Sequence, residues 1–171
     1  MERKRGFEIC KGYEDKDITL PIRKTKCSAA YDLEAAEDTV IPSLWKAVFT
    51  NFTKFLKGEI DYVEIRPTLV QTGIKSYFGE DEVLTLANRS SGPLKKGLVM
   101  ANSIGIVDSD YYSNPQNDGN IMYAFYNFFP VDLNIKKHDA IGQAYFQQFL
   151  KIDDDNATEE RLGGFGSTSK N

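Results

Sequence analysis

Histidine is almost missing from this chain, with one in 171 residues, and cysteine is scarce, with two. His138 sits in a polar run, Lys136-Lys137-His138-Asp139, with no partner at metal-ligand spacing. That argues against a zinc site and against a histidine-driven nucleophile. Cys10 and Cys27 form no metal-spacing motif and read as reduced thiols of a cytoplasmic protein. Long apolar runs are lacking too, and nothing approaches the roughly 20 residues that cross a bilayer. The basic start, Met1 to Arg5, has no apolar stretch behind it, unlike a signal peptide. Positive charge is not in excess: 21 Lys and Arg face 25 Asp and Glu, a net of −4. Bulk charge therefore does not draw the chain to nucleic acid, although a few placed arginines still suffice for a nucleotide.

What is present is an apolar share of 41%, enough for the core of one domain. β-branched and aromatic residues collect over 30–35, 68–77, 82–86, 98–107, 120–126, 131–135 and 141–150, and turn residues separate many of these runs. Short strands without alternating helices predict an all-β, jelly-roll-like antiparallel fold over residues 1–150. One stretch departs from that pattern. From Leu44 to Leu56, Trp45, Val48, Phe49, Phe52, Phe55 and Leu56 recur at helical spacing, with Gly58 placed to end the helix. The expectation is that this aromatic stripe packs onto the sheet; the competing reading is an exposed stripe that docks a partner protein. Residues 151–171 form an acidic, apolar-poor linker, Asp153 to Glu160, followed by a glycine-rich segment.

Two segments suggest chemistry. Gly105-Ile-Val-Asp108-Ser-Asp-Tyr111 is an apolar strand ending in carboxylates and a ring. A carboxylate on a fixed strand end suits a general base, while Asp and Ser equally suit an ordinary turn. Tyr111 offers a flat support for a sugar and would exclude a 2'-hydroxyl sterically; it also suits plain packing in a sheet. Arg161-Leu-Gly-Gly-Phe165-Gly166-Ser167-Thr168 combines a guanidinium, close-approach backbone, a ring and two hydroxyls. An idle Gly/Ser tail has the same composition. Arg89-Ser90-Ser91 follows a strand and is either a second phosphate clamp or a basic turn.

Five segments in order resemble the trimeric dUTP diphosphatases, over nearly the whole chain: Ala30-Tyr-Asp32-Leu33, Arg89-Ser90-Ser91, Asn102 through Tyr111, Asp139-Ala-Ile-Gly-Gln143, and Arg161 through Thr168. The overall spacing is similar to the forms of Gram-positive bacteria and their phages. The resemblance implies a homotrimer whose sites are shared between chains and closed by the C-terminal arm. It implies hydrolysis of dUTP to dUMP and pyrophosphate with magnesium, keeping uracil out of DNA and supplying dUMP for dTMP synthesis. It further implies that Asp108 activates the attacking water, that Tyr111 stacks under deoxyribose, and that Asn102 with backbone near Val107 and Met122 reads uracil. Asp32 would hold magnesium through water. Arg89, Ser90, Ser91, Gln143, Arg161, Gly166, Ser167 and Thr168 would bind the phosphates, and Phe165 would cover the base.

The chain departs from that family at several places. Ser91 stands where glycine is usual, His138 and Ala140 where glycine and a basic residue are common, and Gly142 where alanine is usual. The fifth motif is one residue short after Arg161, Ser169 replaces a glycine, and an extra loop spans Tyr112 to Asp118. The Leu44 to Leu56 helix belongs to an insertion, 44–65, of roughly twenty residues in a connection that is usually short. Two alternatives remain open. One is a dCTP deaminase of the same fold, which would need a catalytic glutamate where Asp108 stands. The other is a regulatory protein switched by nucleotide and docked through the insertion.

Overall fold

The structure, a computed structural model, describes residues 3–158 and 161. Among the described residues eleven strands run in chain order: β1 Gly6–Ile9, β2 Tyr31–Glu34, β3 Thr39–Ile41, β4 Thr68–Gln71, β5 Ile74–Tyr77, β6 Glu82–Asn88, β7 Leu98–Met100, β8 Gly105–Val107, β9 Met122–Asn127, β10 Leu133–Ile135 and β11 Ala140–Gln148. Two helices interrupt them, α1 Leu44–Leu56 and α2 Ser91–Lys96. The strands form a four-stranded sheet β2-β11-β6-β8, a three-stranded sheet β4-β9-β7, and the ribbons β1-β5 and β3-β10. All of these strand pairs are antiparallel, which agrees with the jelly-roll-like, all-β expectation.

Residue pattern explains the layering. In β9, Met-Tyr-Ala-Phe-Tyr-Asn alternates between half-buried and buried positions, so the Tyr123 and Phe125 rings stack inward, 5.8 Å apart. Strand β6 is buried along Glu82–Leu86, because it runs between β11 and β8 with both faces covered. Leu33, Ile41, Val70 and Leu84 complete the core between the sheets. Burial of one such side chain contributes about 1.5–3 kcal/mol.

Several element boundaries differ from the sequence expectation. The run 68–77 is two strands, broken at Thr72 and Gly73. Gly73 has φ +66°, and a Cβ there would lie 2.6 Å from the Tyr13 ring, so only glycine fits. The run 98–107 also splits, because β7 pairs with β9 while β8 pairs with β6 in the other sheet. Helix α2 stands where a turn was expected; Pro93 falls in its first turn, where the missing N–H costs nothing. Strands β1 and β3 are too short to show a period in sequence.

Helix α1 forms where its spacing predicts and gives way at Gly58. Ser43 caps it, its Oγ accepting from Trp45 N at 3.3 Å, while Ser43 N donates to Asp132 Oδ1 at 2.9 Å. The packing expectation for its aromatic stripe is overturned. No α1 residue is buried, and Phe49 and Phe55 are 63% and 64% exposed. The helix is instead tethered at its start by Trp45 Nε1 donating to Phe128 O at 2.9 Å. Along its length, Asn51 exchanges two hydrogen bonds with the backbone of Val63. The apolar period does form a helix, and its aromatic stripe stays exposed.

Gly142 on β11 lies under the Tyr123 ring, where a Cβ would come within 2.1 Å of two ring carbons. The ring leaves no room for a Cβ there. Gly142→Ala is expected to lower stability by about 1–3 kcal/mol through overpacking, measured by urea unfolding. Phe52→Ser and Phe55→Ser, at exposed positions, are each expected to shift stability by less than about 0.5 kcal/mol.

Candidate functional site

A cleft of about 230 Å³ opens between β8 and the start of β9. Its lining includes Asn102, Gly105, Val107, Asp108, Tyr111, Met122 and Arg161. The turn 101–104, with Ser103 at φ +59°, brings Asn102 to one rim. Strand β8 then delivers Val107, and Asp108 follows as the extended residue that opens a 3₁₀ turn, Ser109–Tyr111. Tyr111 N donates back to Asp108 O at 3.1 Å, which fixes carboxylate and ring on one short turn. Ile121 and Met122 close the apolar wall. Gly105 and Ile106 belong to the segment expected from sequence, whereas Leu86, Met100 and Ile121, as apolar wall positions, carry no chemical signature there.

The polar end is charged. Arg161 Nε donates to Asp110 Oδ1 at 2.7 Å, and its Nη2 pairs with Asp108. The guanidinium carbon lies 6.0 Å from the centre of the Tyr111 ring. Arg161 is largely covered, whereas the Asp108 and Asp110 side chains are about half exposed. Asp110 was treated from sequence only as part of the motif, and its share of the arginine is a tertiary result.

A second cluster gathers three more of the residues expected at a site. Asp32, only 5% exposed, lies opposite Gln143 across β2 and β11. Gln143 Nε2 donates to Asp32 Oδ1 at 3.0 Å, and Arg89 Nη2 stands 3.6 Å from Asp32 Oδ2. Arg89 Nη1 also donates to Ala140 O at 3.3 Å. A buried carboxylate needs such partners, because an unpaired one is strongly disfavoured in the interior. Ser90 and Ser91 lie beside Arg89 at the entry to α2. Phe165, Gly166, Ser167 and Thr168 lie outside the described residues.

The two clusters do not meet within this chain. Leu84 pairs with Val107, which places Asp108 level with Val83, whereas Gln143 pairs with Ala87 and Arg89 follows the end of β6. At a rise of about 3.3 Å per residue the separation along β6 is roughly 13–20 Å.

The donor set bears on magnesium. Among the described residues no three His, Cys, Asp or Glu side chains are placed to hold a metal. A hard ion that keeps its waters and takes phosphate oxygens needs one or two carboxylates, not a protein cage. Asp32, with its oxygens held by Gln143 and Arg89, fits a water-mediated role and not a direct ligand set.

No protein-family model matches the chain. A deoxyuridine 5'-triphosphate nucleotidohydrolase of Lactococcus lactis is 41% identical over 166 residues, covering 96% of this chain and 97% of the relative. The chain belongs to the dUTPase family. The crystal structure of a dUTPase from Streptococcus mutans superposes with a TM-score of 0.69 at 36% identity, over 86% of this chain and 98% of that one. A mutant dUTPase from phage phi11 of Staphylococcus aureus, whose structure concerns coordination of a structural Mg(II) ion, superposes with a TM-score of 0.62. At 15% identity, over 92% of this chain and 98% of that one, it supports the fold alone.

Burial pushes the Tyr111 phenol above its ordinary value, and the hydrogen bond from Asn117 only partly opposes this. A phenol harder to ionise when folded contributes stability in full below the ordinary tyrosine value of about 10. The contribution is lost as pH rises through the folded value. Thermal unfolding from about pH 8 to about pH 11 is expected to show this alkaline loss, and Tyr111→Phe should flatten it.

Proposed function

We propose that this chain hydrolyses dUTP to dUMP and pyrophosphate at the Asp108 cleft, with Asp108 as the general base. The observation that carries the reading is the joining of Asp108, Tyr111, Asn102 and Arg161 around one small cleft of mixed character. Family membership supplies the substrate class, and the cleft supplies a place for each part of it. Uracil fits against the exposed edge of the turn at Asn102 and the wall of Val107 and Met122. The deoxyribose rests on Tyr111, and the α-phosphorus lies next to Asp108. Backbone and amide groups that pair with the uracil edge reject cytosine, since its donors and acceptors are reversed.

The proton steps belong to the chain's own residues. Asp108 takes the proton of the attacking water, whose oxygen forms the new bond to the α-phosphorus as the bond to the bridging oxygen breaks. Arg161 exchanges its two carboxylate partners for phosphate oxygens, which frees Asp108 and places positive charge where the leaving pyrophosphate gathers its negative charge. Arg89, Ser90, Ser91 and Gln143 hold the phosphate tail. Phe165, Gly166, Ser167 and Thr168 on the arm 151–171 cover the base and phosphates and exclude bulk water. Asp32 would hold magnesium through water, and the ion when bound neutralises the triphosphate.

The separation of the two clusters supports a homotrimer. Arg89 and Gln143 lie roughly 13–20 Å along β6 from Asp108, and we infer that a second copy supplies the phosphate clamp. Leu69 opposite Ala124, and Val99 opposite Tyr126, form an uncovered face of the β4-β9-β7 sheet that suits such packing. The exposed aromatic stripe of α1 suits a protein partner, which leaves a regulatory role compatible with catalysis. No described helix is long and apolar enough to cross a membrane, and neither Cys10 nor Cys27 is in a disulfide. We place the enzyme in the cytoplasm, acting on free nucleotide and not on nucleic acid.

Asp108→Asn is expected to bind dUTP while releasing pyrophosphate some 10²–10⁴-fold more slowly. Equilibrium binding beside a pyrophosphate assay, with and without magnesium, checks this; near-normal turnover would remove Asp108 from the role of base. Ammonia release from dCTP in the same preparation would point instead to a deaminase.

A further inference from the structure

The hydroxyl of Tyr111 is doubly engaged by the loop that follows it. Tyr111 is 7% exposed; its O–H donates to Asn120 O at 3.0 Å and accepts from Asn117 Nδ2 at 2.7 Å. Asn117 is itself locked, its Oδ1 accepting from Asn114 Nδ2 at 2.8 Å and from Gly119 N at 3.2 Å. Buried Asn114 donates to Tyr111 O at 2.9 Å, while its Oδ1 takes the backbone N–H groups of Gln116 and Asn117.

This loop carries a concentration of left-handed backbone, with φ +53° at Ser113, +57° at Asp118 and +80° at Gly119. Non-glycine residues persist there only where their surroundings over-determine them. The surroundings do so here. Buried Lys75 on β5 donates to Ser113 Oγ at 3.0 Å and to Asp118 Oδ2 at 2.8 Å. Asp118 Oδ2 also accepts from Lys11 N at 2.8 Å, and Asn120 Oδ1 accepts from Gly73 N at 3.0 Å.

We infer that the loop 112–120 is a brace for the Tyr111 ring, and that Asn117 is a positioning residue that sets how strictly the site rejects a ribose. The inference rests on the reading of Tyr111 as the sugar platform. A flat ring excludes one extra oxygen only while its plane is held, since a shift of about 1 Å opens or closes that space. Asn117 supplies the hydrogen bond that stops the ring from rocking, and Asn120 O supplies the opposing one.

The test compares steady-state hydrolysis of dUTP and UTP by the full chain with magnesium. Asn117→Asp keeps the acceptor used by Asn114 and Gly119 but turns the donor to Tyr111 into a second acceptor; the one hydroxyl hydrogen then serves Asn120 O or the carboxylate at 117, not both, so the loop persists while the ring loses one of its two anchors. The ratio of kcat/KM for dUTP over UTP is expected to fall about tenfold, mainly through better use of UTP. Tyr111→Phe, which keeps the ring and its burial, is expected to give the same fall, and the two changes together no further fall. If Asn117→Asp does not fold, Tyr111→Phe alone decides. An unchanged ratio in the folded single variants overturns the brace, whatever happens to thermal stability. Tyr111→Ala separates the two readings. If it abolishes discrimination while the milder variants retain it, the brace alone is wrong; if it leaves discrimination intact, the sugar platform itself is wrong.

Discussion

Strand β6 is the member on which the other parts depend. It is buried from Glu82 to Leu86 and hydrogen-bonded on both edges, to β11 on one side and β8 on the other. That double pairing carries Asp108 at one end and Arg89 with Gln143 and Asp32 towards the other. Because a strand cannot shorten without breaking its ladder, the distance between the two groups is rigid. Asp108 and the Arg89, Gln143 and Asp32 group are therefore held as two separate clusters within one chain.

Charge placement follows from the same frame. Arg161 is held by Asp108 and Asp110 at the cleft mouth, while Arg89 is held by Asp32 and by Ala140 O. The carboxylates that hold Arg161 are about half exposed. Pairing of this kind at half-exposed carboxylates is weak enough to exchange. Asp32 differs because it is buried, and its partners are needed for the fold to tolerate it.

Much of the candidate cleft was readable in the chain because strand ends and turns have chemical signatures. An apolar run closing in Asp108-Ser109-Asp110-Tyr111 marks a carboxylate and a ring on one turn, and the structure places both on the cleft. The walls at Leu86, Met100 and Ile121 were not readable, since an apolar residue that lines a cleft looks like one in the core. The contacts of Asn114 and Asn117 were hidden for a related reason: asparagine in a loop signals a turn, and only the third dimension shows what its amide touches.

The periodicity of residues 44–56 and the β-rich composition were settled by local chemistry, because each depends on neighbours within a few positions. Which sheet each half of 98–107 joins, whether the α1 stripe meets a sheet, and why Gly142 must yield to Tyr123 were decided by tertiary structure. These depend on the volume and hydrogen-bonding edges of segments distant in the chain, which no local pattern encodes.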